Sequence, residues 1–423
     1  MFSRVRWSLT GMLFIAGMIN YLDRSALSVA APLISRDLAI EPVALGVVFS
    51  AFSFGYAPFC FVGGWASDKF GPRLVFLVAM TVWSFFCGLT AAAYSVGFLV
   101  VVRVLFGMGE APFSSTINKL VSQWFPRKEA ATAIGISNAG TPLGGAISGP
   151  IVGFMAVAFG WRLSFVLIAV VSLIWVVAWF FIGRDKPEQH SKVTPEELAE
   201  IHADKVENAS VEARVPFGYY LKQPSVIATA VAFFGYSYLL FFFLTWFPTY
   251  LSKAHGLSIQ NMGLVTSIPW TLGFLGLLAS GFVVDFILKR TGRALFSAKA
   301  VLVTGLFIAA ICVGLAGMVP SVEAAVALMA VTVFCMYMTG TTYWAIILDI
   351  VEKPRVGGVS GFVHFIANCA GIIAPTVTGF LVEYGSFQAA FAFAGVFAFL
   401  GAIGVMALVK PLPVLGGIPA VAE

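Results

Sequence analysis

Apolar residues occupy this chain in long runs separated by short polar clusters, and the runs recur from one end to the other. They fall near residues 7–34, 43–67, 74–95, 97–124, 129–158, 161–183, 225–252, 259–288, 297–318, 322–350, 357–382 and 387–409. Each suits the length of about 20 residues that an α-helix needs to cross a hydrocarbon core of about 30 Å. The pattern predicts an all-α membrane protein with twelve transmembrane helices. One long polar segment, Arg184 to Lys222, separates six runs from six. The predicted organisation is an N-terminal six-helix bundle at 1–183, a cytoplasmic linker at 184–222, a C-terminal six-helix bundle at 223–410 and a tail at 411–423. Inside the linker, "TPEELAEI" offers Thr194 as N-cap, Pro195 at the first helical position and Glu197 at the third, a capping box for a short surface helix. A connector of this length lets two bundles move relative to one another.

Composition agrees with the pattern: 60% of residues are hydrophobic and 11% charged, against about 25% charged in an ordinary soluble domain. The net charge of +5 follows topology and does not point to nucleic acid. Basic residues gather at alternate ends of the runs: Arg4, Arg6, Lys69, Arg73, Arg127, Lys128, Lys289, Arg290, Arg293, Lys353, Arg355 and Lys410 on one side, and Arg36, Arg162 and Lys253 on the other. The positive-inside rule then places both termini in the cytoplasm. The opening "MFSRVRWSLTGMLF" has the basic start of a secretory signal, but its apolar run continues through Asp23 without a small-residue cleavage site, so a retained first span is expected. Cys60, Cys87, Cys312, Cys335 and Cys369 fall within predicted spans at no metal-ligand spacing and read as packing residues. Neither a metal nor a cofactor is expected. No Walker A pattern, H-E-x-x-H or nucleophile elbow is present, which argues against an enzyme.

The two halves echo each other. The second run ends "GWASDKFGPR", with Gly64 and Asp68; the eighth ends "GFVVDFILKRTGR", with Gly281 and Asp285. Both continue to a Gly and an Arg, Gly71 and Arg73 in one, Gly292 and Arg293 in the other. A parallel repeat of six-helix units marks one large transporter architecture. The sequence resembles the major facilitator superfamily, whose loop between spans 2 and 3 carries a pattern like Gly64, Asp68, Lys69 and Gly71. The resemblance implies a conformational latch at Gly64, Asp68, Lys69, Arg73 and Asp285; the plainer reading of Asp68 and Lys69 is a pair of solvated interfacial charges.

Four ionisable residues lie well inside predicted spans of the first half: Asp23 and Arg24 in the first, Arg103 and Glu110 in the fourth. A charge at a helix centre costs about 2.5 to 3.5 kcal/mol on insertion scales, so each needs a partner or a water-filled cavity. Consecutive helical residues point about 100° apart, so Asp23 and Arg24 serve adjacent surfaces. Arg103 and Glu110 share one face, about 10 Å apart along the axis, and both can meet groups from the first span. Two readings stand: a structural ion-pair network, or a site where an acid carries protons and an arginine offers its planar fork to an anion.

"INYLDRSALSVAAP", "RVLFGMGEAPFSSTINKLVSQWFP", "LTWFPTYL" and "GFVHFIANCAGIIAPTVTGFL" are similar to the anion:cation symporter branch of that superfamily, which includes bacterial sugar-acid permeases, sialin and vesicular glutamate transporters. The resemblance implies that Asp23 and Glu110 carry protons and that Arg103 senses the state of Asp23. It also implies that Arg24 anchors a substrate carboxylate, with Tyr21 and Tyr56 as hydroxyl donors. Two positions depart from the sugar-acid permeases: Asn138, a turn before Thr141 in "SNAGTPLGG", and His364, ahead of the expected Asn368. His364 reads equally as a helix-packing residue or as a substrate contact. Tyr236, Tyr238, Trp246, Tyr343 and Trp344 are further candidates for a cavity wall. Gly145, Gly149 and Gly153 with Pro150 share one face of the fifth span and allow close helix approach. Asp349 and Glu352 read as an interfacial charge cluster.

These features describe a proton-coupled symporter that imports a small organic anion by alternating access, acting as a monomer in a bacterial inner membrane. The alternatives are an efflux antiporter or exchanger of the same fold for aromatic acids or drugs, and a non-transporting membrane sensor.

Overall fold

The computed structural model describes residues 5–203, 216–352 and 355–410. Arg4, Lys353, part of the linker at 204–215 and the tail at 411–423 lie outside the described residues. The helices are α1 (Val5–Leu38), α2 (Pro42–Phe70), α3 (Pro72–Leu89), α4 (Val96–Glu110), α5 (Phe113–Trp124), α6 (Arg127–Phe159), α7 (Trp161–Ile182), α8 (Pro195–Ala203), α9 (Phe217–Tyr220), α10 (Pro224–Lys253), α11 (Ile259–Thr291), α12 (Ala294–Ala316), α13 (Val322–Thr339), α14 (Thr342–Ile350), α15 (Val356–Tyr384) and α16 (Phe387–Leu408). Counting α4 with α5 and α13 with α14, they form twelve long helical passes. Among the described residues, eleven passes are long and apolar enough to cross a membrane. The other, α1, is the longest helix at 34 residues. Asn20, Asp23 and Arg24 at its middle pull its mean hydropathy down, which is the difference from twelve uniformly apolar runs.

Local chemistry explains where passes begin. Pro42, Pro72 and Pro224 occupy first helical positions, where a missing N–H costs nothing. Ser95 and Ser386 cap α4 and α16 by accepting from Phe98 N and Ala389 N. Gly71, at φ 85°, takes the left-handed turn between α2 and α3.

Passes four and ten, read as continuous in the sequence, are each broken in the middle. Pro112 has no N–H to donate and its ring crowds the preceding turn, so α4 stops at Glu110. In the equivalent pass of the second half, α13 stops before Gly340. Interrupted spans at corresponding places in two repeats point toward a binding site.

Within the first half α1 packs on α6 and α2 on α4; within the second, α10 packs on α15 and α16, and α11 on α13. The halves meet where α6 crosses α11 and α2 crosses α15. Glycine makes both crossings possible: a Cβ on Gly149 would lie 2.2 Å from the Gly263 carbonyl oxygen, and one on Gly46 would lie 2.6 Å from that of Pro375. Nearby, Val43 N donates to Glu383 at 2.8 Å and Ser50 Oγ donates to Ile372 O at 2.7 Å. These contacts lie at the end of the molecule where α2 begins and α15 finishes, opposite the end where α1 begins and α16 finishes.

The first part of the linker is docked on the first half. Asp185 accepts from Arg73 N at the start of α3 at 2.8 Å, and Trp124 Nε1 donates to Arg184 O. Thr194 caps α8 as expected, accepting from Glu197 N at 3.2 Å. The Glu197 carboxylate does not return to close the capping box. It caps α1 instead, accepting from Val5 N at 3.2 Å and Arg6 N at 3.1 Å. Arg6, 1% exposed, pairs with Glu129 and Glu200.

Candidate functional site

A cavity of about 410 Å³ lies between the halves. From the first half it is lined by Asn20, Tyr21 and Arg24 of α1, Tyr56 of α2 and Asn138 of α6; from the second, by Tyr236, Tyr337, Trp344, His364 and Asn368, among others. Every residue assigned to substrate from the sequence thus faces one space. A second hollow of about 420 Å³ beside α2, α3 and α4 is lined entirely by apolar residues such as Val62, Leu74 and Val78, and offers nothing to an anion.

Arg24 dominates the cavity electrostatically. Its Nε donates to Glu110 Oε2 at 2.5 Å. Among the described residues its ion pair runs through Nε, and its two terminal amino groups lie beside the Tyr56 hydroxyl at the cavity, outside that pair. Aromatic rings hold it in place, with Cζ 4.6 Å from the Tyr56 ring centre, 4.7 Å from Phe52 and 5.4 Å from Tyr21, a cation–π cradle. The cradle needs α2 and α4 close together. A Cβ on Gly107 would sit 2.1 Å from Phe52 O, which explains the glycine one turn before Glu110.

Asp23 turns away from Arg24, as helical geometry requires. Its Oδ2 accepts from Ser172 of α7 at 3.3 Å, while its Oδ1 makes no hydrogen bond of normal geometry and has the indole of Trp83 as its neighbour. Arg103 stacks over Phe52 and Phe106, at 5.1 and 5.0 Å, with its Nε unbonded. The structure does not join Arg103 to Asp23 in an ion pair. Glu110 is fully buried, and its Oε1 also lacks a hydrogen bond.

On the opposite wall His364 stacks on Phe233 at 5.9 Å and meets Trp344 edge-on at 5.8 Å. Asn368 Nδ2 donates to His364 O at 2.8 Å. Thr141 Oγ1 donates to Asn138 O at 2.8 Å. Of the five further aromatic candidates, Tyr236 and Trp344 line the cavity. Tyr238 packs on Phe397, Trp246 donates to Pro375 O, and Tyr343 stacks on Phe233. Sequence reasoning missed Asn20, Ser114, Ser237, Tyr337 and Thr341, all on the cavity wall. The signal for Thr341 was the neighbouring Gly340, where the helix is interrupted.

The predicted latch residues sit at the end where α1 begins and α16 finishes. Asp68 pairs with Lys119 of α5 at 2.7 Å, and Lys69 lies over the Trp65 and Phe70 rings. The Arg73 guanidinium donates to Phe180 O at 2.8 Å. Asp285 is exposed at the surface. The tight contact falls at Gly63, whose Cβ would lie 2.5 Å from Pro112 Cα; one on Gly64 would approach Ser115 at an ordinary 3.8 Å.

Two repeated helical bundles around a cavity with one arginine in its wall have the architecture of a membrane transporter. The sequence profile of the Major Facilitator Superfamily matches residues 13–296 and 291–422, and the chain belongs to that superfamily. It is 51% identical over 415 residues to the "Hexuronate transporter" of Bacillus subtilis (strain 168), covering 97% of this chain and 96% of the relative. It is 34% identical over 415 residues to the "Probable sulfoacetate transporter" of Cupriavidus necator, covering 97% and 95%. Among solved structures it is similar to a bacterial homolog of the human lysosomal transporter Spinster in its inward-facing, unoccupied conformation. The TM-score is 0.73 at 16% identity, covering 96% of each chain.

Proposed function

We propose that this protein imports a small sugar acid of the hexuronate kind together with protons, by alternating access, across a bacterial inner membrane. The observation that carries the reading is Arg24, half-committed to Glu110 and open to the cavity through the rest of its fork. The names of the relatives support the acid class, and the 51% identical one supports a hexuronate.

Charge balance supplies the coupling. With Asp23 and Glu110 ionised and Arg24 and Arg103 charged, the empty site is neutral. A monovalent acid bound to Arg24 adds one negative charge where water is scarce and an uncompensated charge is costly. A proton on Glu110 or Asp23 restores neutrality, so at least one proton accompanies each monovalent acid. Protonating Glu110 also releases its hold on Arg24, freeing the whole fork for the carboxylate.

The bundles at 1–183 and 223–410 rock about this site, joined by 184–222. The end closed by Gly149, Gly263 and Glu383 faces outside. Asp68 with Lys119, and Asp285 in the second half, act at the cytoplasmic ends as latches.

The test is ligand binding to purified Arg24 variants. Arg24→Ala should abolish D-glucuronate binding, and Arg24→Lys should retain a weakened fraction, since a lysine keeps the charge without the fork. Wild-type affinity in Arg24→Ala would place the anchor elsewhere.

A further inference from the structure

Tyr337 is 5% exposed and lines the cavity one turn before the break at Gly340, yet its hydroxyl makes no hydrogen bond of normal geometry and has the Tyr21 hydroxyl beside it. Two other buried tyrosines of the second half are satisfied: Tyr250 donates to Ala316 O, and Tyr343 bonds Thr339. Tyr238 also has an unpaired hydroxyl, but it lies away from the cavity. What sets Tyr337 apart is the combination of a polar atom without a normal hydrogen bond and a place beside the arginine.

The rings make that place definite. Tyr337 stands 6.3 Å from Trp270, and Trp270 meets Tyr21 edge-on at 5.6 Å. Tyr21 in turn carries the Arg24 guanidinium at 5.4 Å. Tyr21 and Arg24 come from α1, whereas Trp270 and Tyr337 come from α11 and α13. At this point the two halves approach each other across the roof of the cavity, and a donor from each side is left facing the space next to a cation. A buried hydroxyl without a normal hydrogen bond is a free-energy cost that a ligand acceptor removes.

We propose that Tyr337 donates its hydroxyl hydrogen to the same substrate carboxylate that Arg24 anchors, so that the carboxylate ties the second half to the first. This rests on the sugar-acid reading above and adds to it a specificity residue on the opposite bundle. A neutral sugar of the same ring receives neither contact, so the acid group both binds and draws the halves together.

The experiment is calorimetric titration with D-glucuronate and with neutral methyl β-D-glucopyranoside, on the wild type, Tyr337→Phe, Tyr21→Phe and the double variant. Because the hydroxyl makes no hydrogen bond of normal geometry in the empty protein, Tyr337→Phe should unfold within about a degree of the wild-type temperature. Its affinity for D-glucuronate should fall about tenfold to a hundredfold, the range of one hydrogen bond to a charged group. The double variant should lose less than the product of the single losses, as expected for two donors on one carboxylate. Undiminished glucuronate affinity in Tyr337→Phe overturns the assignment. A loss of affinity accompanied by a lower unfolding temperature in the empty protein overturns it in favour of packing. A wild type that binds no sugar acid overturns the functional reading, and this inference with it.

Discussion

Replacing Glu110 by Gln removes one negative charge from the site and keeps the side chain's shape. Arg24 then loses its counter-ion. Breaking a buried pair by deleting one partner costs about 3 to 5 kcal/mol. Arg24 is 9% exposed and borders a cavity of about 410 Å³, so cavity water offsets part of this, and the lower end, about 3 kcal/mol, is the better figure. The empty variant should be less stable by about that amount. A substrate carboxylate becomes the replacement counter-ion. Recovering the lost energy on binding raises affinity for a sugar acid by up to about a hundredfold, and the affinity loses its dependence on pH through this group. In proteoliposomes the variant should exchange labelled for unlabelled substrate, yet fail to concentrate substrate when a pH gradient is imposed. Uphill uptake at the wild-type rate would refute the charge balance. Loss of binding would refute the competition between Glu110 and substrate for Arg24.

Two further outcomes follow from other parts of the fold. Gly149→Ala places a Cβ 2.2 Å from Gly263 O, a clash relieved by parting the halves at that end; a cysteine introduced at Ser50, 1% exposed, should then react with an impermeant maleimide faster than in the Gly149 protein, and equal rates would count against the closed seam. Glu197→Ala removes the cap from two α1 backbone N–H groups and should lower stability by about 1 to 2 kcal/mol with unchanged ligand affinity; an unaltered unfolding temperature would show that the docked linker contributes nothing.

Much of this architecture was legible because membrane insertion writes itself into sequence as apolar length, and duplication writes itself as a repeated motif. The different directions of Asp23 and Arg24 followed from helical geometry, and the Gly145, Gly149 and Gly153 face foretold the crossing with α11. What stayed hidden depends on partners distant in the chain. The choice of Glu110 over Asp23 as the partner of Arg24 is set by the approach of α2 and α4 at Gly107. Tyr337 lies in a run rich in aromatic and apolar residues, where no local pattern separates a wall of the cavity from packing. Glu197 shows the same limit: its spacing from Thr194 describes a capping box, but the N-terminus of α1 offers two unbonded donors in place of one.

The docking of Asp185 and Glu197 on the first half has a practical consequence for anyone dividing the chain into two co-expressed pieces. A cut before Lys186, where the apolar run ends, would leave α1 and Arg6 without Glu197 and Glu200. A cut after Ala203 would let the first piece carry its own end-caps. The boundary that hydrophobicity suggests and the one that assembly would tolerate are therefore about twenty residues apart, the length of that docked segment.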